Sequence, residues 1–507
     1  MSRPDRFALL LSLLAVLAAL LVADRVFEFV PHIEDEMAYV WQAQAIAGGR
    51  LAVPTPPEPK SFLVPFVVDY HGQRFGKYPL GWPVFLALGV RLGIRSLVNP
   101  LLTGLGVWLT YLLGKRVFDE TTGLLAAGLT LTSPFFLLNS GSLLSHPFGL
   151  VLGAAFALAW LDAFGSPAAP RRWLPVLVAA FSLGVLVLSR PMTALAIAAP
   201  FGLHGMFLLI RGNWETRRAL LLLGAIVLAL ACLHFVWQYA VTSDPALNPY
   251  TLWWAYDRVG FGLGVGRNQV TGHTLRQAYI NTRHSLQGGF PDLFGWGSIS
   301  WIFIPFGLLA LRRNWRGWLL AGVFPSLLVF YLAYWIGSSL YGPRYYYEGL
   351  FCLTLLSAAG IVLLAGWCTR LGAPDPDQAG WQRYRPILVS ALLILLVGYN
   401  LVFYLPPRLQ GMYGLYGITR ARLEPFLTPE AHEFTPALVI VYPHDNWTDY
   451  GALLDLADPF LNTPFIFVHS RGREVDSAVV SHFLDRKVIH YYTEEPHVFY
   501  TGPRPED

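Results

Sequence analysis

Long apolar runs separated by short polar stretches fill the first 405 residues of this 507-residue chain. The runs fall at about 7–23, 80–94, 97–114, 121–138, 147–164, 173–189, 192–210, 219–241, 299–311, 317–336, 346–367 and 386–405. Most of them have roughly the 20 residues that an α-helix needs to cross a bilayer. The pattern therefore predicts an all-α polytopic membrane protein.

Three longer polar stretches interrupt this pattern, at 24–79, 242–298 and 406–507. In the last of them, residues 474–486 have helical spacing, and three apolar runs have the length and composition of buried strands. These runs lie at 437–442, 464–469 and 487–492. We expect a membrane domain over 1–405 and a small α/β domain over 406–507.

Basic residues predict how the chain crosses the membrane, because Lys and Arg concentrate in cytoplasmic loops. Arg3 and Arg6 place the N-terminus in the cytoplasm, and short basic loops follow at 114–116, 170–173, 211–218, 312–316 and 370–385. These loops are cytoplasmic only if one earlier run does not span. The run 80–94 is short and contains Arg91, so we expect a surface helix there. Eleven spanning helices remain, and the loops 24–96 and 242–298 and the C-terminal domain face outside a cell membrane.

Composition narrows the class of function. Charged residues make up 13% of the chain, against about 25% in soluble domains. The net charge of +4 is small and dispersed, so we expect no nucleic-acid partner. Three cysteines cannot all pair, and their spacing fits no metal motif.

Two acids stand out at the start of the first predicted outer loop, in "HIEDEMAY" (residues 32–39). Asp35 and Glu36 have two readings. Acids at a helix N-terminus stabilise the helix dipole. A carboxylate beside a polar cavity can instead act as a general base and take a proton from an attacking hydroxyl.

Polar residues from later segments fall on the same predicted face. Arg190 and Arg344 either anchor helix ends at the interface or, together with Lys77, hold a phosphate, which suits the planar fork of arginine. Tyr345, in "YGPRYYYE", belongs either to an interfacial aromatic belt or to a substrate site. His146 is a helix cap, a metal ligand or a polar contact to substrate.

Five segments in this order resemble the GT-C superfamily of membrane glycosyltransferases that use polyprenyl-phosphate sugars. They are "DEMAYVWQAQAIAGGRLAVP", "FGKYPLGWPVFLALG", "LSHPFGLVLGAAFALAWL", "LSRPMTALAIAAP" and "SSLYGPRYYYEGLFCLTLLSAAG". Protein O-mannosyltransferases of glycosyltransferase family 39 and the lipid A aminoarabinose transferases are relatives. The resemblance covers about residues 30–365.

The resemblance implies an inverting transfer of sugar from a polyprenyl phosphate to a hydroxyl of a lipid, glycan or protein, among membrane lipids. It makes Asp35 the catalytic carboxylate with Glu36 beside it, and it places Lys77 and Arg190 on the lipid phosphate. His146 stands where many relatives have aspartate. No cofactor is certain. A divalent metal is left open, with Asp35, Glu36 and His146 as the only candidate ligands.

Two other functions remain open from the sequence. A transporter or flippase of lipid-linked sugars would carry charged residues inside its helices, but the predicted helix interiors are nearly free of acids. A non-catalytic membrane scaffold would present the C-terminal domain outside, and Asp35 would then be dispensable.

Overall fold

The computed structural model of the chain describes residues 2–165, 173–367 and 384–505. The helices up to residue 253 are α1 Arg3–Arg25, α2 Glu34–Ala47, α3 Gly81–Arg91, α4 Val98–Val117, α5 Glu120–Leu131, α6 Pro134–Ser140, α7 His146–Phe164, α8 Trp173–Ser189, α9 Pro191–Arg211, α10 Trp214–Thr242 and α11 Pro249–Trp253. Those that follow are α12 Leu275–Gly289, α13 Ile304–Ala310, α14 Trp315–Ala321, α15 Val323–Tyr331, α16 Leu350–Ala365, α17 Arg385–Tyr399, α18 Leu405–Gln410, α19 Pro429–His432, α20 Thr448–Gly451 and α21 Arg473–Val480. The strands are β1 Val53–Pro54, β2 Val67–Tyr70, β3 Gln73–Gly76, β4 Ala437–Tyr442, β5 Phe465–His469 and β6 Lys487–Tyr492. The basic loops predicted at 170–173 and 370–385 fall largely outside the described residues.

Several helical segments of the described chain are long and apolar enough to cross a membrane. There are seven: Arg3–Arg25, Arg95–Val117, His146–Phe164, Pro191–Arg211, Trp214–Thr242, Arg344–Ala365 and Arg385–Gln410. Helices α5 and α6 add an eighth if they form one span, although they meet at a bend of 62°. The predicted multi-pass helical architecture is confirmed.

The remaining predicted spans are shorter helices. Helix α8 has 17 residues, and the run 299–311 contains α13 with only 7. The run 317–336 is divided into α14 and α15 at Gly322, and glycine is among the poorest residues in a helix interior. By length and composition, the described residues therefore give seven or eight spans where the sequence predicts eleven.

Ion pairs show which helix ends share one side of the bundle. The Nζ atom of Lys115, near the end of α4, lies 2.7 Å from Oδ1 of Asp5, near the start of α1. Arg116 pairs with Asp162, near the end of α7, at 2.8 Å. The chain therefore passes through the bundle with α1 and returns with α4. Helix α3 has 11 residues, about 16 Å, and is too short to cross in between, as the sequence predicts.

The C-terminal segment contains a small parallel sheet in which β4 lies between β5 and β6. Helix α21 connects β5 to β6, and all three strands match the predicted ones to within a residue. The small α/β unit is therefore confirmed, while the domain boundary at residue 405 stays a prediction. Asp455 of this segment pairs with Arg95 at 2.9 Å, which joins it to the first loop (residues 24–96).

Candidate active site

Glu36 fixes the first turn of α2. Its Oε2 atom accepts the backbone N–H groups of His32 and Ile33 at 2.8 and 3.2 Å. Its Oε1 atom accepts the N–H of Leu143 at 2.7 Å, and the hydroxyl of Tyr341 lies 3.4 Å from Oε2. The side chain is buried. Glu36 thus joins the start of α2 to the loop before α7, with both oxygens engaged by protein groups.

The Asp35 carboxylate makes different contacts. Its Oδ1 atom accepts a hydrogen bond from the Tyr78 hydroxyl at 2.5 Å, and Oδ2 lies 3.2 Å from Nη2 of Arg344. The side chain is 23% exposed. Asp35 is therefore held by two polar groups from distant segments and is still partly open.

Opposing effects act on the pKa of Asp35. Burial raises the pKa of this carboxyl, but the Arg344 guanidinium, the hydrogen bond from Tyr78 and the positive charge of Lys77 together outweigh it. The net pKa lies below the usual aspartate value. Asp35 is therefore ionised at neutral pH, as a proton acceptor must be.

Lys77 is buried in an aromatic setting. Its Nζ atom lies 3.1 Å from Oδ2 of Asp257 and 3.7 Å from the centre of the Phe66 ring. The indole N–H of Trp335 donates to the other oxygen of Asp257 at 3.0 Å. Burial lowers the pKa of the Lys77 ammonium, and Asp257 offsets part of that effect.

Arg190, which precedes α9, has four partners, and one of them is the Thr193 hydroxyl, 3.3 Å from Nε. Its Nε atom lies 2.9 Å from Oε1 of Glu348. Nη1 donates to the Ser145 hydroxyl at 3.1 Å, and Nη2 donates to the Tyr331 hydroxyl at 3.2 Å. The Nδ1 atom of His146 lies 3.2 Å from the same oxygen of Glu348.

One chain of contacts joins Asp35 to Arg190 through α2. The ring of Tyr78, whose hydroxyl bonds Asp35, packs against the ring of Tyr39 with centroids 4.4 Å apart. The Tyr39 hydroxyl lies 3.3 Å from that of Ser145, which also accepts from Arg190.

A second chain of contacts joins the same two residues from the other side. Arg344 pairs with Asp35, and its guanidinium lies 5.6 Å from the adjacent Tyr345 ring. Tyr345 stacks on Tyr331 with centroids 5.3 Å apart, and the Tyr331 hydroxyl accepts from Arg190. We call this closed set the contact ring; it consists of Asp35, Arg344, Tyr345, Tyr331, Arg190, Ser145, Tyr39 and Tyr78.

The structure brings most of the residues singled out from the sequence to this ring. Asp35, Arg190, Arg344 and Tyr345 belong to it. Two more adjoin it: the Lys77 ammonium lies 5.5 Å from the Tyr78 ring centre, and His146 reaches Arg190 through Glu348. Glu36 bonds the backbone at the start of α2 instead. The chemical role of each of these residues stays a prediction.

Sequence reasoning missed the acids that pair with the cations. Lys77 pairs with Asp257 and Arg190 with Glu348. Glu348 is the last residue of the motif "YGPRYYYE", four residues after Arg344. This position in the motif could have identified Glu348 as a candidate site residue. Asp257 lies in the second loop (residues 242–298), and its local sequence does not connect it with Lys77.

The candidate metal ligands do not form a cluster. Glu36 is engaged by backbone N–H groups, Asp35 by Arg344 and Tyr78, and His146 by Glu348. No group of three or more His, Cys, Asp or Glu side chains in the described ranges is arranged to hold a metal ion. The residues present therefore do not fit a metal site.

Comparisons with known proteins agree with this architecture. The family model described as dolichyl-phosphate-mannose-protein mannosyltransferase matches residues 82–237, and no curated protein matches the chain. The crystal structure of ArnT from Cupriavidus metallidurans bound to undecaprenyl phosphate is similar, with a TM-score of 0.56 and 15% identity, over 96% of this chain and 89% of that one.

A second similar structure is the Archaeoglobus fulgidus oligosaccharyltransferase tethered with an acceptor peptide. It has a TM-score of 0.52 and 14% identity, over 94% of this chain and 68% of that one. At these identities the likeness concerns the fold. The chain therefore shares the fold of these membrane transferases, and its residues 82–237 are similar to the mannosyltransferase family.

Proposed function

We propose that the protein transfers a sugar from a polyprenyl-phosphate donor to an acceptor hydroxyl, with inversion, at the extracytoplasmic side of the cell membrane. The observation that carries this proposal is the setting of Asp35, a partly exposed carboxylate with a lowered pKa beside Arg344 on a GT-C fold. The undecaprenyl phosphate bound to ArnT supports a polyprenyl-phosphate donor.

In the proposed reaction, the acceptor oxygen forms a bond to the anomeric carbon while the bond from that carbon to the phosphate oxygen breaks. The electron pair of the broken bond leaves with the phosphate, and Asp35 takes the proton of the hydroxyl. Attack from the face opposite the phosphate inverts the anomeric centre. Arg190, Arg344 and Lys77 stabilise the charge that grows on the phosphate.

The other predicted site residues have supporting roles in this proposal. Tyr345 and His146 contact the substrates. Glu36 positions Asp35, because it holds the first turn of α2 by backbone hydrogen bonds.

The decisive test is reconstitution with polyprenyl-phosphate sugars and candidate acceptors. We expect Asp35→Asn to lower transfer about 10²–10⁴-fold, the range for loss of a general base, when activity is expressed per folded protein, because the variant also leaves Arg344 without its ion-pair partner. Glu34→Gln, in the same helical turn, is the matched control and should keep its activity. Full transfer by Asp35→Asn, or movement of the lipid across vesicles without transfer, would refute the proposal.

The proposed orientation has its own test. A single cysteine at Lys115 should react with an impermeant thiol reagent only from the cytoplasmic side. One at the exposed Glu430, in the C-terminal segment, should react only from outside. Labelling of both from the same side contradicts the orientation and leaves the chemistry untouched.

A further inference from the structure

A cavity lies between α2, the first loop and the C-terminal segment, away from the contact ring. Its lining includes Trp41, Gln44, Arg74, Tyr450, Asp458 and Phe467. The space open to the centres of water molecules is about 40 Å³, room for roughly three waters. The cavity-lining residues of α2 are Met37, Val40, Trp41 and Gln44. At about 3.6 residues per turn, they lie roughly opposite Asp35 around the helix, so this cavity is distinct from the candidate active site.

Arg74 brings unsatisfied hydrogen-bond donors to this cavity. The residue is only 4% exposed, and its Nη2 atom donates to the carbonyl of Phe62. Within the described residues, its Nε is buried with no hydrogen-bond partner, and Nη1 makes no hydrogen bond. A guanidinium carries five N–H groups, so most of its donors have no protein acceptor. Such buried donors are costly unless a bound group accepts from them.

Nearby acids balance the Arg74 charge only in part. Asp69 lies opposite Arg74 in the β2–β3 register, but its Oδ1 is 3.5 Å from Nε, too long for a good hydrogen bond. Asp458 lines the cavity, and its Oδ1 accepts the backbone N–H of Phe460 at 2.9 Å. The guanidinium is thus available to a further acceptor.

We propose that this cavity binds an oxyanion group, either a carboxylate or a phosphate, through Arg74. The planar guanidinium matches two oxygens of such a group. The Trp41 ring, whose centre lies 5.8 Å from the guanidinium carbon, and the Phe467 ring offer apolar faces to the carbon skeleton that carries it. Because the cavity walls come from the first loop and the C-terminal segment, the bound group stabilises their contact. This proposal is independent of the proposed transfer of a sugar.

The test is thermal unfolding of the full chain in a neutral detergent at fixed ionic strength. Glucuronate represents a glycan carboxylate, glycerol 3-phosphate a lipid headgroup and inorganic phosphate the free anion. Glucose and chloride are the controls. We expect at least one oxyanion to raise the melting temperature saturably, and the probe that acts identifies the source.

Variants connect the effect to Arg74. We expect Arg74→Gln to weaken the apparent affinity about tenfold or more, the loss expected for a charge-assisted hydrogen bond. The exposed Arg420→Gln should respond like the wild type. Asp69→Asn should bind the anion more tightly, because it removes a competing carboxylate.

Two results would overturn the proposal. One is the absence of any saturable oxyanion effect beyond that of chloride and glucose. The other is an equal response of Arg74→Gln and the wild type. If Arg74→Gln does not fold, Asp69→Asn decides, and an affinity no tighter than that of the wild type overturns the proposal.

Discussion

Arg190 and His146 share one oxygen of Glu348. The Nε atom of Arg190 lies 2.9 Å from Oε1, and the Nδ1 atom of His146 lies 3.2 Å from it. The other oxygen, Oε2, is buried and accepts no hydrogen bond in the part of the chain that the structure describes. One carboxylate therefore ties the start of α7 to the segments that lead into α9 and α16.

We expect Glu348→Gln to destabilise the protein by about 3–5 kcal/mol, the cost of leaving one member of a buried ion pair uncompensated. Arg190 would lose its counter-ion, and transfer should fall as well. Unfolding in mixed detergent micelles measures the stability. The exposed Glu424→Gln is the control, expected to stay within about 0.5 kcal/mol of the wild type. Equal stability of the two variants would contradict a structural ion pair.

We expect Glu36→Gln, at the start of α2, to lower the stability of the protein and to leave catalysis largely intact. Replacing one carboxylate oxygen by an amide leaves a backbone N–H without an acceptor, so we expect a loss of about 1–3 kcal/mol. The folded fraction should keep most of its transfer activity, unlike Asp35→Asn. Activity and melting temperature measured on the same preparation decide this. Lost turnover at unchanged stability would make Glu36 a catalytic group.

The pH profile should report the Arg344–Asp35 pair. Burial raises the pKa of Asp35 and the Arg344 charge opposes it, so removing that charge moves the pKa upwards. The base must be ionised, and activity is lost as the pH falls through its pKa. We therefore expect Arg344→Gln to shift the acidic limb of the kcat/KM profile to higher pH, while Arg344→Lys shifts it less. An unmoved limb in Arg344→Gln would exclude Asp35 as the titrating base.

A double-mutant cycle should detect the buried Lys77–Asp257 pair. Asp257→Asn leaves the Lys77 ammonium buried without its counter-ion, at a cost of about 3–5 kcal/mol. Adding Lys77→Met removes the stranded charge and places an apolar side chain beside Phe66. The double variant should therefore lose less stability than the two single losses added, by roughly 0.5–3 kcal/mol. Simple additivity would show that the two side chains do not interact.

The sequence predicts local features of the fold well. The apolar runs identify the helices because a membrane span needs about 20 apolar residues that are consecutive in the sequence. The strands at 437–442 and 487–492 follow from short apolar runs between turn residues. The breaks within the runs 121–138 and 317–336 were harder to place, since hydropathy does not register Pro134 or Gly322 as ends of helices.

At the candidate site, too, local features follow from the sequence and contacts between distant residues do not. The position of Asp35 at the start of a helix in the first loop is local information. Its partner Arg344 is 309 residues away, and Asp257 is 180 residues from Lys77. Such pairings depend on how the helices pack, and the sequence spacing of the residues does not reveal them. Without the family resemblance, the residue pattern does not distinguish Asp35 from Glu36, although the two side chains contact different partners.

The pairing of each cation with its own acid affects how the spent phosphate carrier would leave the site. Under the proposed function, the donor is a phosphodiester with one negative charge. The spent carrier is a phosphate monoester with a charge of about −1.5 to −2 at pH 7. Asp257 and Glu348 compete with that phosphate for Lys77 and Arg190 and repel its added charge. They would therefore hasten departure of the carrier, and product release is a step that limits turnover in many enzymes.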